Sequence, residues 1–339
     1  MKKSLKCLIA ATASVVSSAA FATTNMEDPL YMPKNRELYL KAGGSIMYKT
    51  IEKTIATEKK GIDGNEEFPV WRFTGDIGYG ITDRLDIHGR FGYTKDDDCD
   101  REGMHRGRVG LTLRALTEED IVIFDVYADA YLSGITPMKG AYSRYGSDAA
   151  FDFDNYSNGR WGTIAGVRAG KRLGKWTLAA HAEYLQTFGN HNNEIAIDPE
   201  LELSNLGFPD KISVNLKSTH ETTFGFDTMF QMSPKWSLGA GFEYIEHYDN
   251  GVEGIHTKLH DAGELNYLQQ IVKNKLLAET IDMNDGWDEY VIKANAGYQM
   301  TDSVQLIIFG EYTFDEAHSQ SQNATDLKME LGARFNARF

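Results

Sequence analysis

The chain has 339 residues, with 35 basic residues against 49 acidic ones, a formal net charge of −14 and a mean hydropathy of −0.41. That acidity argues against nucleic acid as a partner, because phosphate recognition needs a basic footprint. No stretch of about eighteen consecutive apolar residues follows the first segment, so no helical membrane span is expected.

The first segment has its own character. Lys2, Lys3 and Lys6 make a basic start, Cys7 to Val16 is a short apolar run, and Ala20-Phe21-Ala22 supplies small residues at the right spacing for cleavage. Residues 1–22 therefore read as a secretory signal peptide removed after Ala22. A membrane helix would be longer and would be followed by a stop-transfer pattern. Cys7 lies too early to be a lipidated cysteine at the cleavage site. Cys99 is the one cysteine beyond it, so no internal disulfide is expected. Residues 23–36 show no alternation and read as a periplasmic N-terminal segment, either a lead or a plug.

From residue 37 onwards, apolar and polar residues alternate at period two in twelve stretches: about 37–49, 69–80, 84–94, 106–115, 121–132, 160–170, 175–188, 221–231, 236–247, 287–299, 304–315 and 327–339. The last runs Leu327, Met329, Leu331, Ala333, Phe335, Ala337 and Phe339 on one face, with Lys328, Glu330, Arg334, Asn336 and Arg338 on the other. An oily face and a charged face on one strand call for two different solvents. A bilayer outside and a polar lumen inside supply them, and their alternation averages away in a hydropathy plot. Proline is scarce at 7 residues, whereas Gly (32), Tyr (17) and Phe (17) are plentiful, as suits strands with aromatic borders.

Tight turns at 80–84, 116–120, 171–175, 232–235 and 300–303 alternate with longer polar segments at about 51–67, 95–105, 133–159, 189–220, 249–286 and 317–325. Short periplasmic turns and long extracellular loops have this rhythm in outer-membrane barrels. An even strand number puts both ends on the periplasmic side. The expected fold is thus all-β, a transmembrane antiparallel up-and-down β-barrel of about twelve strands over residues 37–339. Leu265, Leu268, Val272 and Leu276 are spaced as a helix face within the 249–286 loop, which would fold over the mouth or into the lumen.

The tryptophans fit two interfacial girdles. Trp71, Trp161 and Trp287 begin strands that descend from the outer rim, and Trp176 and Trp236 begin strands that rise from the turns. A soluble sandwich or lipocalin-like barrel also alternates, but it would turn its polar face outward.

Assigning the apolar face to lipid sends a defined set into the lumen. It comprises Lys41, Arg72, Asp76, Asp86, His88, Arg90, Arg108, Arg114, Asp125, Asp129, Arg160 and Arg168. It continues with His181, Glu183, Asp227, Glu243, Glu289, Lys293, Glu311, Lys328, Glu330 and Arg334. Basic groups gather on the second to fourth, sixth and twelfth stretches, and acidic groups on the fifth and the seventh to eleventh. Opposed sectors would set a transverse field across a water-filled pore, and acidic loops would favour cations at the mouth. The alternative is a set of ion pairs that fills a narrow barrel.

Three motifs touch on chemistry. Asn155-Tyr156-Ser157-Asn158-Gly159 resembles the H-x-S-N-G motif of outer-membrane phospholipases, with Asn155 where the histidine base belongs, so nothing activates Ser157. The omptin proteases need Asp and His near the extracellular rim. Asp86 and His88 lie low, and His181 with Glu183 and Asp227 lies higher, a cluster that ion pairing explains. Asp96-Asp97-Asp98-Cys99-Asp100 lacks the glycine and distal glutamate of a calcium loop. No catalytic residue, metal or cofactor is expected, and the chain is not read as an enzyme.

The alternation, the turn rhythm, the aromatic girdles and the closing strand with Phe335 and terminal Phe339 together resemble bacterial outer-membrane β-barrel proteins of about twelve strands. The resemblance covers residues 37 to 339 and identifies no subfamily. It implies an outer-membrane location among lipids, insertion by the barrel-assembly machinery with Phe335 and Phe339 as the assembly signal, and often passive diffusion of small solutes. The expected function is a porin-like channel for small polar solutes or ions. The alternatives are a structural or surface-interaction barrel with a filled lumen and, third, a hydrolase at the rim. The oligomeric state is not set by these features.

Overall fold

The computed structural model of the chain describes residues 25–50, 67–96, 101–132, 139–145, 148–153, 160–197, 211–248, 252–256, 286–317 and 327–339. They contain strands and connections, with no helix among them. The strands are β1 (Leu38–Thr50), β2 (Glu67–Thr82), β3 (Leu85–Asp96), β4 (Arg101–Leu116), β5 (Ile123–Leu132), β6 (Lys139–Tyr145), β7 (Asp148–Phe153), β8 (Trp161–Leu173) and β9 (Trp176–Thr187). They continue as β10 (Asn190–Ile197), β11 (Lys211–Leu216), β12 (His220–Gln231), β13 (Trp236–His247), β14 (Val252–His256), β15 (Trp287–Gln299), β16 (Val304–Ala317) and β17 (Leu327–Arg338).

Twelve of these close into an antiparallel barrel in the order β1-β17-β16-β15-β13-β12-β9-β8-β5-β4-β3-β2. They are the twelve alternating stretches of the sequence. Each inner face takes every second residue, so in β1 Lys41, Ser45 and Met47 point inward while Leu38 and Leu40 point outward and are 37% and 41% exposed. The outward face carries a continuous band of large apolar side chains, among them Phe73, Phe91, Leu111, Phe226, Ile292, Ile308 and Leu331. A band of that extent has no place in water and matches the hydrocarbon of a bilayer.

Local chemistry places the turns. Gly174, at φ 64°, joins β8 to β9 in a conformation that L side chains rarely adopt. Between β12 and β13, Ser233 Oγ accepts from the Trp236 N–H at 3.1 Å and terminates the connection.

The other five strands form a second sheet in the order β14-β11-β10-β6-β7. They lie in three connections at the end opposite the turns, and β10 pairs with β6 in parallel. The sequence reading gives these connections as long polar loops. The difference has a physical reason: the strands are 5 to 8 residues long, too short for a sustained alternation, and the pairings of β10 with β6 and of β11 with β14 join separate connections. The signal peptide at 1–22, the helical spacing at 265–276, the acidic residues 97–100 and the 155–159 motif lie outside the described residues.

Residues 25–36 sit at the turn end. Met26 and Leu30 are fully buried, and Leu30 packs with Ile123 of β5 and Ala179 of β9 in a small apolar cluster on the inner side. The chain leaves this position through Arg36, at φ 66°, whose N–H donates to the Gly80 carbonyl at 2.7 Å. A Cβ on Gly80 would lie 1.9 Å from the Lys34 carbonyl oxygen, so only glycine lets the segment pass so close to β2.

Closure is made by β1 and β17, paired from Tyr39 with Arg338 to Thr50 with Leu327. The ladder runs to the last residue: the Leu38 N–H donates to the Phe339 carbonyl at 3.0 Å, and the Phe339 N–H donates to the Leu38 carbonyl at 2.8 Å. Each bond contributes roughly 1 kcal/mol, and more where water is scarce. Deleting Phe339 is expected to lower the yield of the heat-modifiable folded form and its melting temperature in detergent. Equal yield and an unchanged transition on gel-shift assay would contradict the role given to this residue.

Candidate functional site: the barrel lumen

At mid-height the inner wall carries a belt of ion pairs. On β2 and β3, Arg90 Nε donates to Asp76 at 2.8 Å. His88 of β3 lies between Asp86, 3.0 Å from Nδ1, and Asp129 of β5, 3.1 Å from Nε2. Arg108 of β4 reaches both Asp129, at 3.6 Å, and Glu183 of β9, at 3.1 Å. The Tyr127 hydroxyl also donates to Glu183 at 3.1 Å. His181 of β9 lies 3.3 Å from Asp227 of β12 and 3.4 Å from Glu243 of β13. Lys293 of β15 bonds Glu243 at 2.5 Å and stands opposite Glu311 of β16, which in turn faces Glu330 of β17. Glu330 completes the circuit by accepting from Ser45 and Arg72, each at 2.5 Å.

Many of these pairs skip a strand, and small inward residues make the reach possible. His88 crosses β4 over Gly110, where a Cβ would lie 1.9 Å from Asp129 Oδ1. His181 crosses β12 over Gly225, where a Cβ would lie 2.1 Å from its ring. Tyr127 occupies the space above Gly166, and Arg72 passes Ser45 of β1. The basic and acidic sectors read from the sequence are therefore stitched together wherever an inner position lacks a bulky side chain. The pairing offsets part of the penalty of holding charge against a low-dielectric wall.

The turn end differs, because residues 25–31 occupy it. Asp28 accepts from Arg172 Nε at 2.6 Å and from Thr177 Oγ1 at 3.3 Å. Glu27 pairs with Arg334, accepts from Asn336 Nδ2 at 2.8 Å and lies 3.5 Å from Lys41 Nζ. Backbone carbonyls are held as well: that of Leu30 by Arg114 at 2.7 Å and Arg172 at 2.9 Å, that of Met26 by Lys41 at 2.9 Å, and that of Tyr31 by Arg168 at 3.4 Å. Asn25 bonds Gln231 at 3.0 Å and accepts from Gln305 at 2.7 Å. Asp125, fully buried, sits behind this contact and holds Arg114 at 2.8 Å and Arg168 at 2.6 Å. Burial alone would push the Glu27 carboxyl up, but Lys41 and Arg334 outweigh it and hold the group below the usual carboxylate range.

The inward residues chosen from the sequence thus fall into three groups. Arg72, Asp76, Asp86, His88, Arg90, Arg108, Asp129, His181, Glu183, Asp227, Glu243, Lys293, Glu311 and Glu330 form the belt. Lys41, Arg114, Asp125, Arg168 and Arg334 face the N-terminal segment. Arg160, Glu289 and Lys328 lie nearer the long connections, where Arg160 donates to Thr219 Oγ1 at 3.5 Å and Lys328 lies 3.6 Å from Glu289. Arg172, Thr177, Gln305 and Asn336 also hold that segment and are not in the set read from the sequence. The acidic pair Glu27-Asp28 ahead of the first strand is the signal that points to them.

On the outside, Trp71, Trp161, Trp176 and Trp236 are 41–59% exposed at the strand ends. Three of them pack against neighbours with tilted rings: Trp161 on Phe188, Trp176 on Phe230 and Trp236 on Tyr298, with ring centroids 4.6–4.8 Å apart. Trp287 begins β15. Phe335 and Phe339 face outward, 54% and 74% exposed.

No protein-family model matches the chain, and no curated protein matches it in sequence. Solved structures do match. An outer membrane channel from Pseudomonas putida F1 superposes with a TM-score of 0.53 at 13% identity, over 93% of this chain and 99% of that one. The beta domain of the Bordetella autotransporter BrkA matches at 0.43 and 10%, over 90% and 100%. The translocator domain of the autotransporter NalP from Neisseria meningitidis matches at 0.42 and 11%, over 98% of each chain. The last two likenesses are too distant to carry an argument, and the first is one of fold. With its closed ring of twelve antiparallel strands, this chain has the fold of the bacterial outer-membrane β-barrels.

Proposed function

We propose that the protein is an outer-membrane channel for passive diffusion of small polar solutes or ions, narrowed at its turn end by its own residues 25–36. One observation carries this reading. Arg90 points inward at mid-height, is paired with Asp76, and still has 49% of its side chain exposed. Asp227, Lys293 and Arg72 on other parts of the belt are about a third exposed. A lumen packed solid with side chains would cover these groups. An open, charged mid-section offers a wet path, and charged rings of this kind select among small solutes.

The outward apolar band supports insertion in a bilayer, and the Pseudomonas putida protein of similar fold is itself an outer membrane channel. The histidines at 88, 181 and 247 each lie between two carboxylates of the wall, which gives them a structural task in the pore rather than a catalytic one. The filled-barrel reading draws on the turn end, where the N-terminal segment meets the wall on several sides.

Planar bilayers separate the two. The intact protein should give small conductance steps, and deletion of residues 25–34 should enlarge them several-fold with the barrel still heat-modifiable. Folded protein that stays silent in both forms would sink the channel reading in favour of a structural barrel.

The pH dependence follows from Glu27. Its carboxyl is held below the usual carboxylate range by Lys41 and Arg334, so its links to them are fully present through that range and above it. They are lost only as pH falls through the lowered value. Step size should therefore stay constant from neutral pH through the ordinary carboxylate range and grow in stronger acid, and Glu27→Gln should remove that acid-induced growth. Growth that begins near neutral pH would show that Glu27 does not hold the segment.

A further inference from the structure

The carboxylates of Glu27 and Asp28 and the carbonyls of Met26, Leu30 and Tyr31 are held by donors of the barrel wall, while Asn25, Asn35 and Arg36 donate in the other direction. Lys41, Arg114, Arg168, Arg172 and Arg334 reach it from β1, β4, β8 and β17. Thr177 and Asn336 add a hydroxyl and an amide N–H. Against these five cations the wall sets two carboxylates, Asp125 on Arg114 and Arg168, and Glu118 on Arg172. Asp76, directly opposite Lys41 in the ladder, is matched by Arg90, and Asp86, opposite Gly80, is matched by His88. Within the seats the segment contributes Glu27 and Asp28, so the excess of positive charge there falls from three to one when it is seated, while its Lys34 and Arg36 are exposed.

A set of converging guanidinium, ammonium, amide and hydroxyl donors is what recognises a carboxylate in water-poor surroundings. Here each of the two carboxylates has its own seat. Asp28 lies on Arg172 and Thr177, and Glu27 lies on Arg334, Asn336 and Lys41. The two residues are adjacent in the chain, so the seats are neighbours.

We infer that the turn end of the lumen is a binding site for small carboxylate anions, those with two carboxyl groups above all, and that Glu27 and Asp28 occupy it as an internal substitute which such a solute displaces. The inference rests on the channel reading for its consequence, since displacement widens the pore and bares its basic exit. It runs opposite to the cation bias expected from acidic loops at the mouth, because the field at the exit changes sign once the two carboxylates leave. A solute that binds the displaced state and not the seated one shifts the equilibrium by its own affinity, with no other driving force.

Met26 and Met32 supply the readout. Both lie on the segment and are buried, 1% and 8% exposed. Protein carrying carbon-13 methyl-labelled methionine in detergent should show two signals assignable through Met26→Leu and Met32→Leu. Titration with succinate should move or sharpen both in a saturable way. Succinamide, and KCl of equal ionic strength, should leave them in place, and Arg172→Gln should weaken the succinate response at least several-fold. No response to succinate, or an equal response to KCl, overturns the inference.

A second measurement separates this inference from the channel reading. Glu27→Gln with Asp28→Asn unseats the segment electrostatically, and in a KCl gradient the reversal potential should move towards chloride. If the variant conducts, remains folded by heat-modifiability and keeps a cation preference, the inference fails while the channel stands. If succinate moves the methionine signals but no form conducts, the anion site stands and the channel reading falls.

Discussion

Closure of β1 on β17 is the constraint on which the rest of the molecule depends. In a bilayer an unpaired backbone N–H or C=O has no water to turn to, so a sheet with a free edge cannot stand there. The antiparallel ladder from Tyr39–Arg338 to Thr50–Leu327, extended by the paired Leu38 and Phe339 backbone groups, removes that edge. Once the ring is closed, period-two alternation allots every side chain to one of two environments. Most of the large Leu, Ile, Phe and Trp side chains face out, Arg, Asp, Glu and His face in, and a few apolar groups such as Ile164 and Ile307 are buried on the inner side.

Closure creates a second problem inside. More than a dozen charged groups share a confined lumen whose wall is thin and backed by hydrocarbon. They are stable there because each finds an opposite charge, often two strands away. The small residues between the partners decide which reaches are open: Gly110 beneath His88 and Asp129, Gly225 beneath His181, Gly166 beneath Tyr127, Ser45 beneath Arg72. Inner glycine positions that look like gaps in a strand pattern are thus the passages through which the pairs form. The same spacing leaves Arg90 and Asp76 partly open at mid-height, where a solute would meet them.

At the turn end the protein uses its own chain to complete the wall. Residues 25–31 bring two carboxylates and several carbonyl oxygens to a ring of donors, and Leu30 adds a small apolar cluster inside the barrel. The segment is joined to β1 through Arg36 and passes close above Gly80, and it is held elsewhere by side-chain contacts. Polar attachments of that kind can be exchanged for a solute's, whereas a strand of the ladder cannot leave without opening an edge.

The sequence by itself determined the barrel: twelve alternating stretches, the rhythm of turns, the aromatic strand ends and the inward charged set were all legible, because period two and turn chemistry are local properties of the chain. The pairing of those charges was not legible, since His88 with Asp129 or Arg72 with Glu330 depends on which strands lie side by side and which positions between them are small. The small sheet of β6, β7, β10, β11 and β14 escaped for a like reason, its strands being short and two of its pairings, β10 with β6 and β11 with β14, joining separate connections. Residues 25–31 have no periodicity to read. Their seat exists only once β1, β4, β8 and β17 have come together and turned five basic side chains towards one place.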